Sequence, residues 1–309
     1  MTHGQAPNKK ELLTGMGLAV LAALIWSGNY IVARGFHRDI SPVSLAFFRW
    51  TTATVILFPF AYKSLRQQFP ILLTSWKYLL IAALFGVSLF NTFIYVGGHT
   101  TSAMNLAIIG TTAAPVFVLF IAHLFTPEKA TPFQIAGTLL CMAGILLLIS
   151  KGDLTRLRQF RFQAGDLWVL VAALSFAIYT VMVRKKPKEI RPLSFLFATF
   201  FLGTLLLLPA FVIDSANGLT FRWTIPLVVV FLYLGIGASV ISFFAWNTSI
   251  QKIGPSRTAL FGNLIPVFST IEAVIFLKEE SNAIVIISLL IIFSGLFLAN
   301  MGRLKRRKQ

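Results

Sequence analysis

Ten stretches of mostly apolar residues alternate with short polar or Pro- and Gly-containing segments along the chain. Each stretch has close to the roughly 20 residues that a helix needs to cross the hydrocarbon core of a bilayer. No intervening segment is long enough to fold as a separate catalytic domain. The pattern predicts ten transmembrane helices, at Thr14–Ala33, Pro42–Tyr62, Trp76–Gly97, Ser102–Phe125, Thr131–Ser150, Gly165–Val183, Pro192–Ile213, Trp223–Thr248, Ser256–Leu277 and Asn282–Met301.

Composition supports a membrane protein. Of the 309 residues, 57% are hydrophobic and only 12% are charged, whereas a soluble domain carries about 25% charged residues. Because charges are so few, most of the outer surface must face a lipid bilayer. A single cysteine, Cys141, excludes an internal disulfide and a CxxC metal or redox motif. We therefore expect neither a metal nor another cofactor.

The net charge of +17 invites a comparison with nucleic-acid-binding proteins, but the placement of the charges argues against one. With the N-terminus inside, 18 of the 27 Lys and Arg residues fall in inner segments and 8 in outer segments. Membrane proteins accumulate Lys and Arg on the cytoplasmic side. The distribution predicts two cytoplasmic termini and no bound nucleic acid, and the compact loops favour a bacterial inner (plasma) membrane.

The two halves of the chain resemble each other. Matching residues recur at an offset of 150 or 151, and they include Arg34 with Arg184, Pro42 with Pro192, Pro115 with Pro266, and Glu128 with Glu279. Each half holds five spans, and because five is odd the second half must enter the membrane in the opposite sense. The sequence therefore predicts an all-α membrane protein of two inverted five-helix repeats, residues 1–152 and 153–309, around a central cavity.

Longer motifs carry a resemblance to a known family. They are ALIWSGNYIVAR in the first span, FFRW in the second, and AAPVFVLFIAHLFTPEKATPFQIAGTLLCMAGILLL with its later echo IPVFSTIEAVIFLKEESNAIVIISLLIIFSGLFLAN. In these motifs the chain resembles the drug/metabolite transporter superfamily, in its ten-helix EamA-type branch. The resemblance implies a carrier that alternates access around a cavity lined mainly by the first, third, fourth, sixth, eighth and ninth helices. Members of this branch include exporters of amino acids, aromatic ones among them.

Two charged residues lie well inside predicted spans. Arg49 is seven residues from the outer end of the second span, and Glu272 is about five from the outer end of the ninth, so both lie roughly 8–11 Å below one surface. A charge in the bilayer costs at least about 2.5 kcal/mol unless it faces a cavity or a partner. The two side chains are expected either to pair with each other or to act separately on a substrate carboxylate and ammonium. Glu272 is also a candidate proton carrier.

Polar and aromatic residues in other spans form a second set of candidates. Because amides and hydroxyls are costly in lipid, the faces that carry them are expected to turn inward. Asn91 and Tyr95 are four residues apart and share one helix face, as do Ser242 and Trp246. An aromatic slot with a few polar groups suits an amino acid or an apolar metabolite of similar size. The predicted substrate-binding residues are Trp26, Asn29, Tyr30, Asn91, Tyr95, Tyr179, Ser242, Trp246 and Asn263.

Two prolines lie near the middle of the fourth and ninth spans. Pro115 and Pro266 each remove a helix hydrogen bond, which frees a carbonyl near Thr111 or Gly262. In a transporter these positions are candidate hinges, with a static kink as the alternative.

Four further residues receive structural interpretations. Glu128 and Glu279 are expected to cap the fifth and tenth helices, whose N-termini favour an anion. Gly137 and Gly295, each four residues before another small residue, are expected to allow close contact between helices.

The sequence favours a secondary-active transporter that exports small metabolites, amino acids foremost. It carries no Walker motif for direct use of ATP. An intramembrane enzyme would need paired acids, a metal triad or a GxSxG nucleophile, and since none is visible no catalytic residue is assigned. Import of a cationic metabolite and a lipid scramblase or scaffold are the alternatives. We expect a small-molecule substrate and a monomer or weak dimer.

Overall fold

The computed structural model describes residues 9–35, 39–153, 155–158, 161–216, 223–277 and 283–301, with side chains omitted at 30–35, 103, 104, 156, 158, 273, 274, 276, 277 and 301. These ranges are almost entirely helical. They form ten long helical segments, α1 (Lys9–Gly35), α2 (Pro42–Thr74), α3 (Trp76–Thr100), α4 (Ala103–Phe125), α5 (Pro132–Ser150), α6 (Ala164–Arg184), α7 (Pro192–Ala216), α8 (Ile225–Ile253), α9 (255–277) and α10 (Ala283–Met301). A single turn, Thr155–Arg158, lies between α5 and α6.

The ten segments form two groups of five, α1–α5 and α6–α10. Within the described ranges, nine of them are continuous helices long and apolar enough to cross a membrane, and the tenth, α9, is interrupted. Consecutive segments run in alternate directions, so α1 begins and α10 ends at one face, here named the terminal face. The other side is the opposite face. The predicted fold of two inverted five-helix repeats is confirmed.

Helix α2 is longer than the sequence pattern predicted. It continues past Tyr62, the expected end, to Thr74. Lys63 and Arg66 lie within it. Both are good helix formers, and a helix can continue through charged residues once it has left the hydrocarbon region. The extension is anchored by Gln68, whose amide nitrogen donates to the Glu189 carbonyl at 2.5 Å.

Helices α3 and α8 each contain a wide π-helical segment at matching places in the two repeats. The segments are Leu84–Leu89 and Tyr233–Ile241, which overlap at the repeat offset of 150. A π turn carries an extra residue and rotates the side chains beyond it around the helix axis. At Gly86 the helix backbone lies so close to Tyr179 that a Cβ there would approach the ring to 2.2 Å.

Helix α9 consists of three pieces, Pro255–Leu260, a 3-10 turn at Phe261–Leu264, and Ile265–Leu277. Pro266 has no N–H and cannot bond the carbonyl four residues earlier. That carbonyl, of Gly262, accepts instead from the Ile265 N–H. The predicted free carbonyl is therefore satisfied by a tighter turn.

The N-terminus of α5 corrects another expectation. Thr131 Oγ1 accepts from the Gln134 N–H at 3.2 Å, and Gln134 Oε1 accepts from the Thr131 N–H at 3.0 Å, which is a capping box. Glu128 instead pairs with Arg184 at the terminal face, with Nε and Oε1 3.4 Å apart. The prediction that Glu128 caps α5 is wrong because Thr131 occupies the cap position. Glu279 lies outside the described residues.

Polar contacts join the two repeats at the opposite face. Asp166, fully buried at the start of α6, accepts from Asn105 Nδ2 of α4 at 2.7 Å and from the Thr101 hydroxyl. Asp214, near the end of α7, accepts from Ser44 Oγ of α2 at 2.9 Å. Carboxylates that accept such bonds tie helix ends together without a counter-charge.

Helices α5 and α10 lie in close contact through small residues. A Cβ at Gly137 would lie 2.5 Å from the Gly295 carbonyl oxygen, and one at Gly295 would lie 2.7 Å from Cys141 Sγ. Such backbone approach is the usual basis of helix association in membranes. The close-contact faces predicted from the sequence are confirmed.

We predict that Gly137→Ala lowers the melting temperature of the detergent-solubilised protein, because the added methyl group forces α5 and α10 apart at a cost of about 1–3 kcal/mol. Gly17→Ala in α1 is the matched control, since nothing lies within 4 Å of its Cβ position and the helix gains up to about 1 kcal/mol from alanine. Equal melting temperatures for the two variants would contradict the close packing.

Candidate functional site

A cavity lies at the centre of the bundle, between the two repeats. Seven helices line it, namely α1, α2, α3, α4, α6, α8 and α9. They include the six that the family resemblance implied, together with α2. The lining residues are Trp26, Asn29, Arg49, Phe90, Asn91, Ile94, Gly110, Thr111, Ala114, Pro115, Val118, Phe176, Trp246, Ala259, Gly262 and Ile265.

Arg49 is the charged residue of this lining, and it is 1% exposed. Its Nη1 donates to Asn91 Oδ1 at 2.8 Å and to Asn29 Oδ1 at 3.1 Å, and lies 2.9 Å from the Tyr95 hydroxyl. Its Nε donates to Ser239 Oγ at 2.8 Å. The guanidinium is thus held by neutral groups from α1, α3 and α8.

The π-helical segment of α8 supplies part of this arrangement. The carbonyl of Ala238 accepts from Arg49 Nη2 at 3.0 Å and from Trp26 Nε1 at 2.8 Å. A wide turn departs from the regular α-helical bonding pattern, which leaves a carbonyl such as this one open to side-chain donors. One backbone oxygen therefore connects the charged residue with an indole of the cavity wall.

Aromatic rings form the remainder of the wall. Trp26 lies 5.0 Å from Trp246 and 5.6 Å from Phe176 between ring centroids. Phe176 is stacked on Phe90 at 4.5 Å. These rings come from α1, α3, α6 and α8, and their spacing is typical of favourable aromatic contact. They give the cavity an apolar side next to its charged one.

Glu272 is not among the described hydrogen-bond partners of Arg49. Its Oε1 lies 2.6 Å from Ser27 Oγ, and that hydroxyl also lies 2.5 Å from the Leu24 carbonyl oxygen. The contacts of Arg49 given above involve no carboxylate. Of the two roles left open by the sequence, the geometry favours separate action over a direct ion pair.

Two sets of contacts lie between the cavity and the terminal face. Val118, Ala177 and Ala259, from α4, α6 and α9, form a small buried cluster on that side. At the membrane surface, Arg184 pairs with Glu128 and also donates from Nη1 to the Gln251 carbonyl at 2.7 Å. These contacts connect the α4–α5 loop with the ends of α6 and α8.

A second cavity lies near the terminal face, between α6, α7 and α8. Its charged residue is Lys186, whose Nζ donates to the Pro187 carbonyl at 3.1 Å. Partial burial lowers the pKa of Lys186, and the nearby Glu189 carboxylate opposes that shift. Among the described side chains, no group of three His, Cys, Asp or Glu residues is placed to hold a metal ion. The central cavity, which helices of both repeats and the buried Arg49 line, is the better candidate site.

Comparison with known proteins identifies the family. The model of the EamA-like transporter family matches residues 13–150 and again residues 163–301. The chain belongs to the EamA-like transporter family.

Individual EamA-like relatives align along nearly their whole length. An uncharacterized transporter of Archaeoglobus fulgidus is 29% identical over 282 residues, covering 91% of this chain and 95% of its own. Protein PecM of Dickeya dadantii is 24% identical over 296 residues and 94% of both chains. A solved crystal structure, 19% identical, superposes with a TM-score of 0.75 over 97% of this chain and 99% of its own, which shows a shared fold.

The nine predicted substrate-binding residues of this EamA-like protein fall into four groups. Trp26, Asn29, Asn91 and Trp246 line the cavity. Tyr95 lies behind that lining, in contact with Arg49. The side chain of Tyr30 is outside the described residues.

The remaining three candidates lie away from the cavity lining, and two of them have hydrogen-bond partners there. Asn247 Nδ2 donates to the Tyr179 hydroxyl at 2.7 Å. Ser242 donates to the Gly237 carbonyl of its own helix at 2.9 Å. Asn263 lies beside Cys141 of α5. Tyr179 and Ser242 thus have local partners, so their presence in a span did not require them to face the centre. The side-chain amide of Asn263 is buried and has no hydrogen-bond partner among the described residues.

Sequence reasoning missed several residues of the site. Ser239 and the Ala238 carbonyl contact Arg49 only because of the π-helical segment, which no pattern in the sequence indicated. Phe90 and Phe176 line the cavity but are ordinary residues for a membrane span. The available signal for Phe176 is its offset of 150 from Trp26, since repeat-related residues tend to meet at the pseudo-symmetry axis.

We predict that Ala114→Cys, in a Cys141→Ala background, reacts with a hydrophilic thiol reagent. Ala114 lines the cavity, where water allows the thiol to ionise and attack. Val116→Cys is the control, because Val116 is 39% exposed on the outer surface of the same helix, where lipid suppresses ionisation. Mass spectrometry of proteoliposomes measures both rates, and equal labelling would contradict the assignment of the cavity.

Proposed function

We propose that this transporter is a secondary-active exporter of small metabolites, foremost amino acids with aromatic or apolar side chains. The observation that carries the proposal is the central cavity itself, which both repeats line and which combines a buried cation with aromatic walls. Sites of inverted-repeat carriers lie near the membrane midplane between the repeats. A cavity with one charged side and one aromatic side suits a small zwitterion with an apolar side chain.

Within this site we assign substrate contact to the four predicted residues that line the cavity, Trp26, Asn29, Asn91 and Trp246. Tyr95 acts as a positioning residue for Arg49. The backbone carbonyl of Thr111 is a further polar group of the site. Because Pro115 has no N–H, this carbonyl lacks its usual helix partner, and both residues line the cavity. A backbone carbonyl of this kind is an acceptor for a substrate ammonium.

The alternative of a cationic substrate is less well supported. Arg49 would repel a cation, and no carboxylate lies among the described lining residues. Glu272, the intramembrane acid, is in contact with Ser27 outside this lining. We assign Glu272 a role in proton coupling rather than in binding a cationic metabolite.

Transport by alternating access requires the two repeats, taken as residues 1–152 and 153–309, to move relative to each other. Pro115 in α4 and the 3-10 turn before Pro266 in α9 are the proposed hinges. Pro115 removes one backbone hydrogen bond from α4, the 3-10 turn interrupts α9, and both lie next to the cavity. We take the two sets of contacts described above to close the cavity toward the terminal face in this state. We place that face, with both termini, in the cytoplasm of a bacterial cell, and propose a monomer as the working unit.

Counterflow in proteoliposomes tests the transport proposal. We predict that an unlabelled aromatic or apolar amino acid inside the vesicles accelerates uptake of the same amino acid in labelled form, whereas internal sugars do not. Ala114→Phe should abolish exchange by filling the cavity, and Val116→Phe, on the lipid side of the same helix, should retain it. If no amino acid of the panel stimulates exchange, the assignment of amino acids as substrates fails.

Glu272→Gln tests proton coupling separately. If transport by this variant depends on pH as transport by the unsubstituted protein does, Glu272 does not carry the coupled proton.

Closure at the terminal face generates a second prediction. Glu128→Gln keeps the side-chain size but removes the ion pair with Arg184, so it should favour opening at this face. An ion pair at this degree of exposure contributes about 0–1 kcal/mol, which corresponds to up to about a fivefold shift in the opening equilibrium. The measurement is the rate at which Ala259→Cys, in the Cys141→Ala background, is labelled from the terminal face.

Two companion variants make this measurement specific. Arg184→Gln should raise the labelling rate of Ala259→Cys as Glu128→Gln does, since it removes the other partner of the same pair. Lys188→Gln changes an exposed charge in the neighbouring loop and should leave the rate unaltered. A gate function for the ion pair is excluded if neither partner's substitution alters labelling.

A further inference from the structure

No carboxylate is among the described hydrogen-bond partners of Arg49. A guanidinium has five N–H groups and keeps its charge in proteins. The acceptors around it are amide, hydroxyl and backbone oxygens of neutral groups, and Arg49 is almost completely buried. Nη1 is saturated, because its two hydrogens face three polar groups. Nη2 has two hydrogens and contacts one described acceptor, the Ala238 carbonyl.

An amide next to Arg49 is also left with free donors. Asn91 is fully buried and lines the cavity, and its Nδ2 has no hydrogen-bond partner among the described residues. The orientation of this amide is fixed by chemistry, because arginine can only donate and Oδ1 must therefore face it. The unpaired NH₂ is the other end of the same group. A buried donor without a partner costs about 1–3 kcal/mol.

A third unpaired donor belongs to the aromatic wall. Trp246 is 1% exposed and lines the cavity, and its Nε1 has no partner among the described residues. Its ring is in contact with Trp26, whose own Nε1 shares the Ala238 carbonyl with Arg49. Trp246 is thus connected to Arg49 through Trp26, and all three donor residues line the same cavity.

Acceptors near this part of the wall are already in use. The side-chain oxygens of Asn29 and Asn91 accept from Arg49, and the carbonyl of Ala238 accepts from two donors. An arginine with a purely structural role would have its donors saturated by the protein. Here the wall has surplus donors and a net positive charge, which is the complement of an anionic, acceptor-rich ligand.

We propose that this part of the cavity binds a carboxylate group of the transported substrate, held by Arg49 Nη2, Asn91 Nδ2 and Trp246 Nε1. A carboxylate has two oxygens with about four acceptor positions, and its single charge matches the single guanidinium. The apolar remainder of the substrate packs on Trp26 and Phe176. The inference deepens the proposed function, because it names the chemical group by which that same site selects its substrate.

Ligand binding to the purified protein in detergent tests the inference apart from transport. The probes are 3-phenylpropionate and its neutral analogue 3-phenylpropanamide, with quenching of tryptophan fluorescence and thermal stabilisation as readouts. We expect the carboxylate to bind at least about tenfold more tightly than the amide, because a hydrogen bond to a charged group contributes about 1.5–3 kcal/mol.

Asn91→Asp is the most specific variant. It keeps the size of the side chain, replaces the free NH₂ with an oxygen, and gives Arg49 a counter-charge within the protein. Its melting temperature should therefore be maintained, while binding of 3-phenylpropionate falls at least about tenfold and binding of the amide changes little. Removal of Arg49 itself is less informative, because the groups that surround it would lose their partner and the fold would suffer.

A matched pair of tryptophan variants tests the third donor. Trp246→Phe and Trp50→Phe each remove a buried indole N–H that has no described partner, and each keeps an aromatic ring. Trp50 does not belong to the cavity lining, and its ring, 4.9 Å from the guanidinium carbon of Arg49, is replaced by another aromatic ring in Trp50→Phe. Only Trp246→Phe should weaken binding of the carboxylate, by several-fold.

Three outcomes would overturn the inference. They are equal affinity for carboxylate and amide, undiminished carboxylate binding by Asn91→Asp, and no binding of the carboxylate at all. Failure of the proposed function has a different signature. Should the carboxylate bind as expected but no amino acid drive counterflow, the carboxylate site would stand and the assignment of amino-acid transport would fall.

Discussion

A guanidinium inside a membrane must be surrounded by acceptors, and this requirement organises the centre of the protein. Arg49 reaches Asn29 of α1, Asn91 of α3, and Ser239 with the Ala238 carbonyl of α8. Because no single helix can supply so many oxygens in one direction, four helices have to meet at one point. The aromatic wall of the cavity is connected to the same point through the indole N–H of Trp26, which donates to the Ala238 carbonyl. Position, charge and shape of the cavity thus follow from one buried side chain.

The two repeats share a backbone plan but not a charge distribution. The π-helical segments of α3 and α8 recur at matching places, and so do the prolines of α4 and α9. At the repeat offset of 150, however, Arg49 corresponds to Thr199, whose hydroxyl is satisfied by carbonyls of its own helix. Because the backbone features recur, each repeat has helices that can rearrange in a related way. Because the side chains differ, the cavity carries its positive charge on one side only. Both properties suit a carrier whose substrate must bind in one orientation in either state.

Much of the fold could be predicted because lipid as a solvent leaves few options. A chain with ten apolar runs must satisfy its backbone within each crossing, so helices follow directly. The inverted arrangement follows from an odd number of spans per repeat. Helix ends are less predictable, as α2 shows, because the sequence pattern marks where hydrocarbon ends and not where hydrogen bonding ends. Glu128 illustrates the same difficulty, since Thr131 competes for the cap and a distant arginine offers a better partner.

The site was predictable only in part, for a related reason. Polarity within a span indicates that a residue needs a partner, but not where that partner lies. Asn91 finds it across the cavity in Arg49, whereas Ser242 finds it one turn away in its own helix. Rotation about the helix axis decides between these outcomes, and the π-helical segments set that rotation.

Those segments also determine how the gene can change. A π turn holds one residue more than the α-helix around it, so loss of one residue from Leu84–Leu89 would let α3 relax into a regular helix and turn everything after it by about 100°. Asn91 and Tyr95 would then face away from Arg49, although each would still be present in the sequence. A one-residue deletion, which a regular lipid-facing helix would tolerate, would therefore disrupt the site when it falls within Leu84–Leu89. In this part of the protein the length of the helix, and not only its composition, is under selection.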